Sequence, residues 1–600
     1  MTTVPKRSEV PVAYTWNAYS VFPSDEAWVS VMTSLERDLE SAAAYKGRLA
    51  ENPAILADAL NAVEQAGRLA HKIYVYAMMF EAVDTADQDA AAKSGRARSL
   101  YGKTQATTSF VRPELIAIGF DTLNQWRTQE PRLAHLGQYF DQLEKQQTHV
   151  RSAEVEQVLG LAQDMIGTAL STGGILINSD MKFAAATGGD GSTHELTQGT
   201  IDALITHTDR EVRRTAFENY ADAHLAFQNT LSTSLSGAIK RDVFMSRVRG
   251  YRSSLDAALT SNFIPAEIFH NLINTYKANL PTWHRYWHLR RQVLGNEQFY
   301  AYDVKAPLTQ ANQRISYEQS VEWIADGMRP LGDDYVNILR RGCLEERWVD
   351  VLPNQNKRMG AFSSGSYDTH PFILMSYHDD LFSLSTLAHE LGHSLHSYYS
   401  RKTQPYVYSS YGLFVAEVAS NFNQALVRHH LLNQNPDPQL QIAIIEEAMS
   451  NFHRYFFIMP NLARFELEMH ERAEKGQALT ARDMTNLTAD LFSEGFGPDV
   501  TVDRDRVGIT WAQFQHLYAN FYVYQYATGI SGAHALAEKV IAGQPAAAAN
   551  YLNFLKAGSS VYPLDALKMA GVDLTTPEAV ETTFTVLSGY VDRLEQLLGF

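Results

Sequence analysis

Six hundred residues, 45% hydrophobic and 20% charged, make an ordinary globular composition that is too apolar for a disordered chain and long enough to bury a large core. Lys+Arg total 51 and Asp+Glu 67, a net charge of −16, so the average surface repels phosphate backbones and nucleic acid is excluded as an expected partner. The single cysteine, Cys343, has no internal disulfide partner and reads as a buried thiol in a reducing compartment.

The N-terminal stretch MTTVPKRSEVPVAYTWNAYSVFP carries two early cations but no apolar run after them, and Pro5, Pro11 and Pro23 interrupt it. No secretion signal is expected there. No segment reaches the 18 consecutive apolar residues of a membrane span, so a soluble, cytoplasmic protein without a membrane partner is the expectation. From Ser24, a cap residue followed by acidic residues and apolar positions three and four apart predicts a first helix. The same periodicity recurs at PAILADALNAVEQAGRLAHKIYVYAMMFEAV, at QDAAAKSGRARSLYGKTQATTSFV and from Ile201 onward, giving a mainly α chain. Two stretches break the rhythm. Gly188-Gly189-Asp190-Gly191 predicts a hairpin turn, and the runs Gly360–Ser363 and Phe372–Tyr377 predict short strands of a small sheet.

The chemistry concentrates in SLSTLAHELGHSLHSYYS. His389 and His393 are four apart, so on a helix both imidazoles project from one face and can bind one zinc ion (Zn2+, one per chain). Glu390 lies about 100° round the helix, placed to take a proton from the attacking water. Chance gives roughly 0.03 such HExxH patterns in a chain of this composition. Glu417, 24 residues beyond His393, falls inside the otherwise apolar helical stretch that begins after Gly412, where a carboxylate is unfavourable unless paired or metal-bound. It is the candidate third ligand. His396 shares the face of the pair, but three ligands from one straight helix cannot surround zinc, so it reads as a supporting or packing residue. His194-Glu195 and His470-Glu471 do not complete the pattern and read as solvated; the acid-rich GPDVTVDRDR lacks calcium-loop spacing and reads as a loop.

HELGHSLH followed by FVAEVAS resembles the thimet oligopeptidase family of zinc metallopeptidases, most of all its oligoendopeptidase F branch. The segments WVDVLPNQNKRMGAFSSGSYDTHPFILMSY, HLYANFYVYQYATGIS and YLNFLKAGSSVYPLDALKMAGVD resemble the same branch, and DREVRRTAFENY carries the likeness back to about residue 200. The resemblance implies a mainly α, two-lobed fold around a deep substrate channel, with a small β-sheet beside the HExxH helix and zinc at the channel floor. It implies His389, His393 and Glu417 as ligands, Glu390 as general base, and oligopeptides as substrates. By the same resemblance the GAFS run is an edge strand to which an extended peptide adds. His516, Tyr522 and Tyr524 are the candidates to face the scissile carbonyl, whereas Tyr518 and Tyr526 read as packing. Thimet oligopeptidase itself has a glycine-containing loop here, and His516 to Phe521 contains none.

Three segments are expected: an N-terminal helical region over residues 1–115, a helical and hairpin connection over residues 116–200, and a catalytic metallopeptidase region over residues 201–600. The expected function is zinc-dependent hydrolysis of internal bonds in short oligopeptides. An alternative is a zinc carboxypeptidase or dipeptidyl carboxypeptidase, which needs a cation for the substrate's terminal carboxylate. A helical binding protein with a structural metal is a third reading, and Glu390 argues against it, because a structural site has no use for a base.

Overall fold

The computed structural model describes residues 4–309 and 313–600. Helices dominate, as the amphipathic spacing predicts. Ser24 accepts from the Ala27 amide at the head of α1 (Asp25–Ala43), and Asn52 accepts from Ala54 and Ile55 where Pro53 opens α2 (Pro53–Val83). Asp87 caps α3 (Gln88–Thr108) in the same way. Each cap satisfies amides that a helix start leaves without partners and is worth about 1 kcal/mol. Farther along come α4 (Leu381–Thr403), α5 (Leu413–Gln434), α6 (Pro438–His453), α7 (Met459–Glu474), α8 (Tyr524–Ile541) and α9 (Ala547–Ala557).

Seven short strands form three small sheets among the described residues: β1 (Ala186–Thr187), β2 (Thr193–His194), β3 (Phe299–Tyr300), β4 (Val349–Asp350), β5 (Phe362–Ser364), β6 (Phe372–Leu374) and β7 (Val500–Thr501). β1 and β2 are the hairpin closed by the glycine-rich turn. β3 and β7 pair in parallel. GPDVTVDRDR is therefore no plain loop: it holds β7 and a short helix, Arg504–Gly508. The third sheet has the order β4-β6-β5, with β6 parallel to β4 and antiparallel to β5, which leaves β5 as an edge strand.

The chain forms two compact units, each drawn from three separate segments. The first contains residues up to Thr148, Arg314–His430 and Lys539–Gly571; the second contains His149–Gln313, Leu431–Glu538 and Val572–Phe600.

In the first unit, Trp28, Leu35, Leu39, Ile73, Tyr76 and Met79 of α1 and α2 form one apolar cluster with Phe372 and Leu374 of β6. Each large side chain so buried contributes about 1.5–3 kcal/mol. β6 is thus locked on one side by the N-terminal helices, while its neighbour β5 meets α4 through the Ser363–Ser394 hydroxyl pair at 2.8 Å. Asp350 of β4 is fully buried and held by Arg7 at 2.5 Å and Lys357 at 2.7 Å. In the second unit, α6 runs through one π-helical turn, Arg454–Ile458, into α7. Pro460 has no amide hydrogen for an ordinary helical bond, and the Met459 amide closes the wider ring onto the Arg454 carbonyl.

Candidate metal centre and its surroundings

Asp380 caps α4 by accepting from the Ser383 amide, and α4 then presents His389 and His393 one turn apart. Their rings stand edge to face with centroids 4.9 Å apart. α5 crosses α4 at Gly392. A side-chain carbon built on Gly392 would lie 2.5 Å from the Ala419 carbonyl oxygen and 2.5 Å from Ser420 Cα, so only glycine permits this approach. The close crossing brings the Glu417 carboxylate to 3.5 Å from His389 Nε2. One ligand atom from each of His389, His393 and Glu417 falls within 4.8 Å of the others, which makes them a three-donor set.

The surroundings fit a metal. Gln424 Oε1 lies 3.1 Å from His389 Nδ1, so that nitrogen carries the proton and donates, leaving the Nε2 lone pair toward Glu417. Gln424 is itself fixed by donating to Ser385 Oγ at 2.8 Å. His393 bonds the Ala416 backbone, and burial, followed by the neighbouring His389, lowers its pKa to about 4, so it is neutral and able to coordinate at pH 7. Two imidazoles and a carboxylate are the donor types of open zinc sites. Ser420 Oγ donates to Glu417 Oε2 at 3.1 Å and orients the carboxylate.

Glu390 is 6% exposed. Burial, the largest cause, raises its pKa to about 7; Glu417 adds to the rise, while His389 and the Ser363 backbone amide oppose it. Its Oε2 has no hydrogen-bond partner among the described residues. A carboxylate poised near neutrality with one oxygen uncommitted is suited to accept and return a proton. The amide that it holds belongs to β5, so Glu390 sits at the open edge of that strand. His396 stacks on Tyr411 at 3.6 Å and against Phe554, and burial lowers its pKa to about 3, so its part is packing. Tyr411 donates to the His393 carbonyl at 3.1 Å.

The remaining candidates lie in the second unit. His516 and Tyr522 stack with centroids 5.8 Å apart, and Tyr526 meets both, its hydroxyl 3.2 Å from that of Tyr522. Tyr524 is placed differently: it is 3% exposed and packs edge-on against Phe269. The aromatic cluster is therefore His516, Tyr522 and Tyr526, because alternate residues entering α8 face opposite ways. Burial, with help from Arg454, lowers the His516 pKa. Beneath the loop, Glu466 accepts from the Phe521 amide at 2.7 Å and Arg241 donates to the Tyr518 carbonyl at 2.8 Å. Phe521 is held at φ +46°, a conformation that glycine adopts more easily, and these contacts support it. His470 is not solvated: it is 1% exposed, bonded to the Glu466 carbonyl and 3.4 Å from Asp242. Gln424 was traceable in the sequence, seven residues or two turns after Glu417 on the same helical face; Glu466 carried no such signal.

Comparison with known proteins agrees with this architecture. Residues 203–586 match the model of peptidase family M3, and residues 114–183 match that of oligopeptidase F. The chain belongs to peptidase family M3. It is 38% identical to oligopeptidase PepF of Bacillus subtilis, over 99% of this chain and 89% of that protein. It is 35% identical to group B oligopeptidase PepB of Streptococcus agalactiae, over 99% and 98%. The crystal structure of oligoendopeptidase-F from Enterococcus faecium superposes with a TM-score of 0.75 at 29% identity, covering 96% of this chain and 99% of that one. This M3 protein is a peptidase, and M3 peptidases are metallopeptidases. No described helix is long and apolar enough to cross a membrane.

Proposed function

We propose that this M3 peptidase is a zinc-dependent endopeptidase that hydrolyses internal bonds of short oligopeptides. The observation that carries the reading is the convergence of His389, His393 and Glu417, with the uncommitted Oε2 of Glu390 on the residue next to His389. When bound, zinc supplies Lewis acidity toward water and the peptide carbonyl. Glu390 takes the proton of the attacking water and returns it to the leaving amine. An extended peptide adds along the free edge of β5, which selects for unfolded chain through backbone hydrogen bonding. By the family resemblance His516 with Tyr522 or Tyr524 donates to the carbonyl oxygen as negative charge develops; the nearness of the Tyr526 hydroxyl to that of Tyr522, and the packing of Tyr524 against Phe269, support Tyr526 in place of Tyr524.

The test joins metal analysis of the purified protein to mass spectrometry of a digest of a peptide blocked at both ends. About one zinc per chain and cleavage at internal bonds are expected, with activity lost on chelation. Glu390→Gln retains the metal and the fold while turnover falls about 10²- to 10⁴-fold, because an amide cannot accept the proton. Near-normal turnover in Glu390→Gln would overturn the assignment of the base. Release of residues only from an unblocked C-terminus would favour the carboxypeptidase alternative.

A further inference from the structure

The second unit contains a cavity of about 480 Å³, a size suited to a small ligand. Its polar wall includes Asp202, Lys305, His453, Arg454 and His516; its apolar wall includes Tyr302, Phe492 and Phe496. His453 and Arg454 occupy the junction of α6 with the π-helical turn, and Ile458 at the far end of that turn lines the cavity too. π-turns of this kind are frequent at functional sites, because the wider ring re-aims side chains. His453 is 8% exposed, with its ring set against Trp283, Trp287 and Phe457, and neither ring nitrogen has a hydrogen-bond partner among the described residues.

The two cations are only partly compensated. Arg454 is exposed and makes no ion pair among the described residues, while Lys305 reaches only Asp202, at 3.9 Å, whose side chain is 73% exposed. Burial and then the nearby Arg454 guanidinium lower the Lys305 pKa against the pull of Asp202, and an anion between the two cations offsets the repulsion. Two cations and one exposed carboxylate leave the cavity with one net positive charge, which matches a monoanion. The aromatic wall requires that the anion carry an apolar arm.

We propose that this cavity binds the free carboxylate of a peptide end whose last side chain is apolar, with Arg454 and Lys305 on the carboxylate, His453 as a hydrogen-bond partner and the aromatic wall around the side chain. The choice of a peptide as occupant rests on the peptidase reading. The binding itself does not, since every residue named lies in the second unit and none belongs to the metal donor set.

Calorimetric titration of the metal-loaded full chain with N-acetyl-phenylalanine, N-acetyl-phenylalaninamide and N-acetylglycine tests the proposal. The acid is expected to bind at least tenfold more tightly than its amide and than the glycine compound. Arg454→Gln, at an exposed position that leaves the core intact, weakens the acid at least tenfold. Lys305→Met weakens it comparably, and Asp202→Asn tightens it by removing the competing carboxylate. Chelation of the metal leaves the affinity within a few-fold. Equal binding of acid and amide, no binding of the acid, or binding that disappears on chelation and ignores Arg454→Gln would each overturn the proposal; the last places the carboxylate on the metal. The peptidase reading fails separately, in the digest of the doubly blocked peptide, whatever this titration shows.

Discussion

Gly392 is the residue on which the metal centre turns, and replacing it with alanine separates metal binding from stability. The added carbon would lie 2.5 Å from both the Ala419 oxygen and Ser420 Cα, and ordinary contact begins near 3.4 Å, so the two backbones must part by about 0.9 Å. Both obstacles are main chain, and no side-chain rotation relieves them. Glu417 sits two residues before Ala419 on the same helix and moves with it, whereas a metal site tolerates ligand displacements of only about 0.2 Å. Overpacking costs about 1–3 kcal/mol, and alanine's better helix propensity returns about 1 kcal/mol, so the net loss of stability is about 0–2 kcal/mol. Zinc affinity, measured by competition with a chromogenic chelator, is expected to fall at least tenfold while the urea midpoint shifts modestly. Gly589→Ala is the control, because nothing lies within 4 Å of its added carbon, and it should gain stability and leave zinc affinity unchanged. Parental zinc affinity in Gly392→Ala would refute the claim that the helix crossing sets the ligand geometry.

Among the tyrosines, Tyr522→Phe and Tyr526→Phe are expected to lower kcat by about 10²- to 10³-fold with little change in KM, while Tyr524→Phe acts on stability; a kcat defect confined to Tyr524→Phe would reverse the assignment. Glu466→Ala leaves the Phe521 amide without its acceptor, a cost of about 1–3 kcal/mol, and should lower both Tm and kcat. Burial holds the Glu466 carboxyl well above the usual carboxylate range, so the neutral acceptor in Glu466→Gln should restore both, and failure of that rescue would show that the charge matters instead. His224 is fully buried, bonded to the Tyr220 carbonyl, and burial lowers its pKa from 6.5 to about 4. The unfolded chain therefore binds the extra proton first, so this group's contribution to stability is intact above pH 6.5 and declines as pH falls from there toward 4, by about 2 kcal/mol at pH 5. Urea midpoints at pH 7.5 and 5 should differ less in His224→Gln than in the parent; an identical pH dependence would remove His224 from the account.

What the sequence determined by itself was local. The helix cap at Ser24, the glycine-rich hairpin turn, and the four-residue spacing of His389 and His393 depend only on neighbours within a turn or two, so local pattern exposes them. Glu417 was legible for a different reason, since an acid in an apolar helical stretch signals that something elsewhere must satisfy it. The tertiary structure alone decided the rest. That Gly392 admits the Glu417 helix depends on the distance between two helices, which no spacing along one of them encodes. That Tyr524 packs against Phe269 while Tyr526 meets His516 and Tyr522 depended on which face of α8 meets which neighbour, and the environment of His470 depended on Asp242, 228 residues away. The two units interleave because their segments are sorted by which apolar surfaces bury one another, and hydrophobic burial rewards proximity in space without regard to order along the chain.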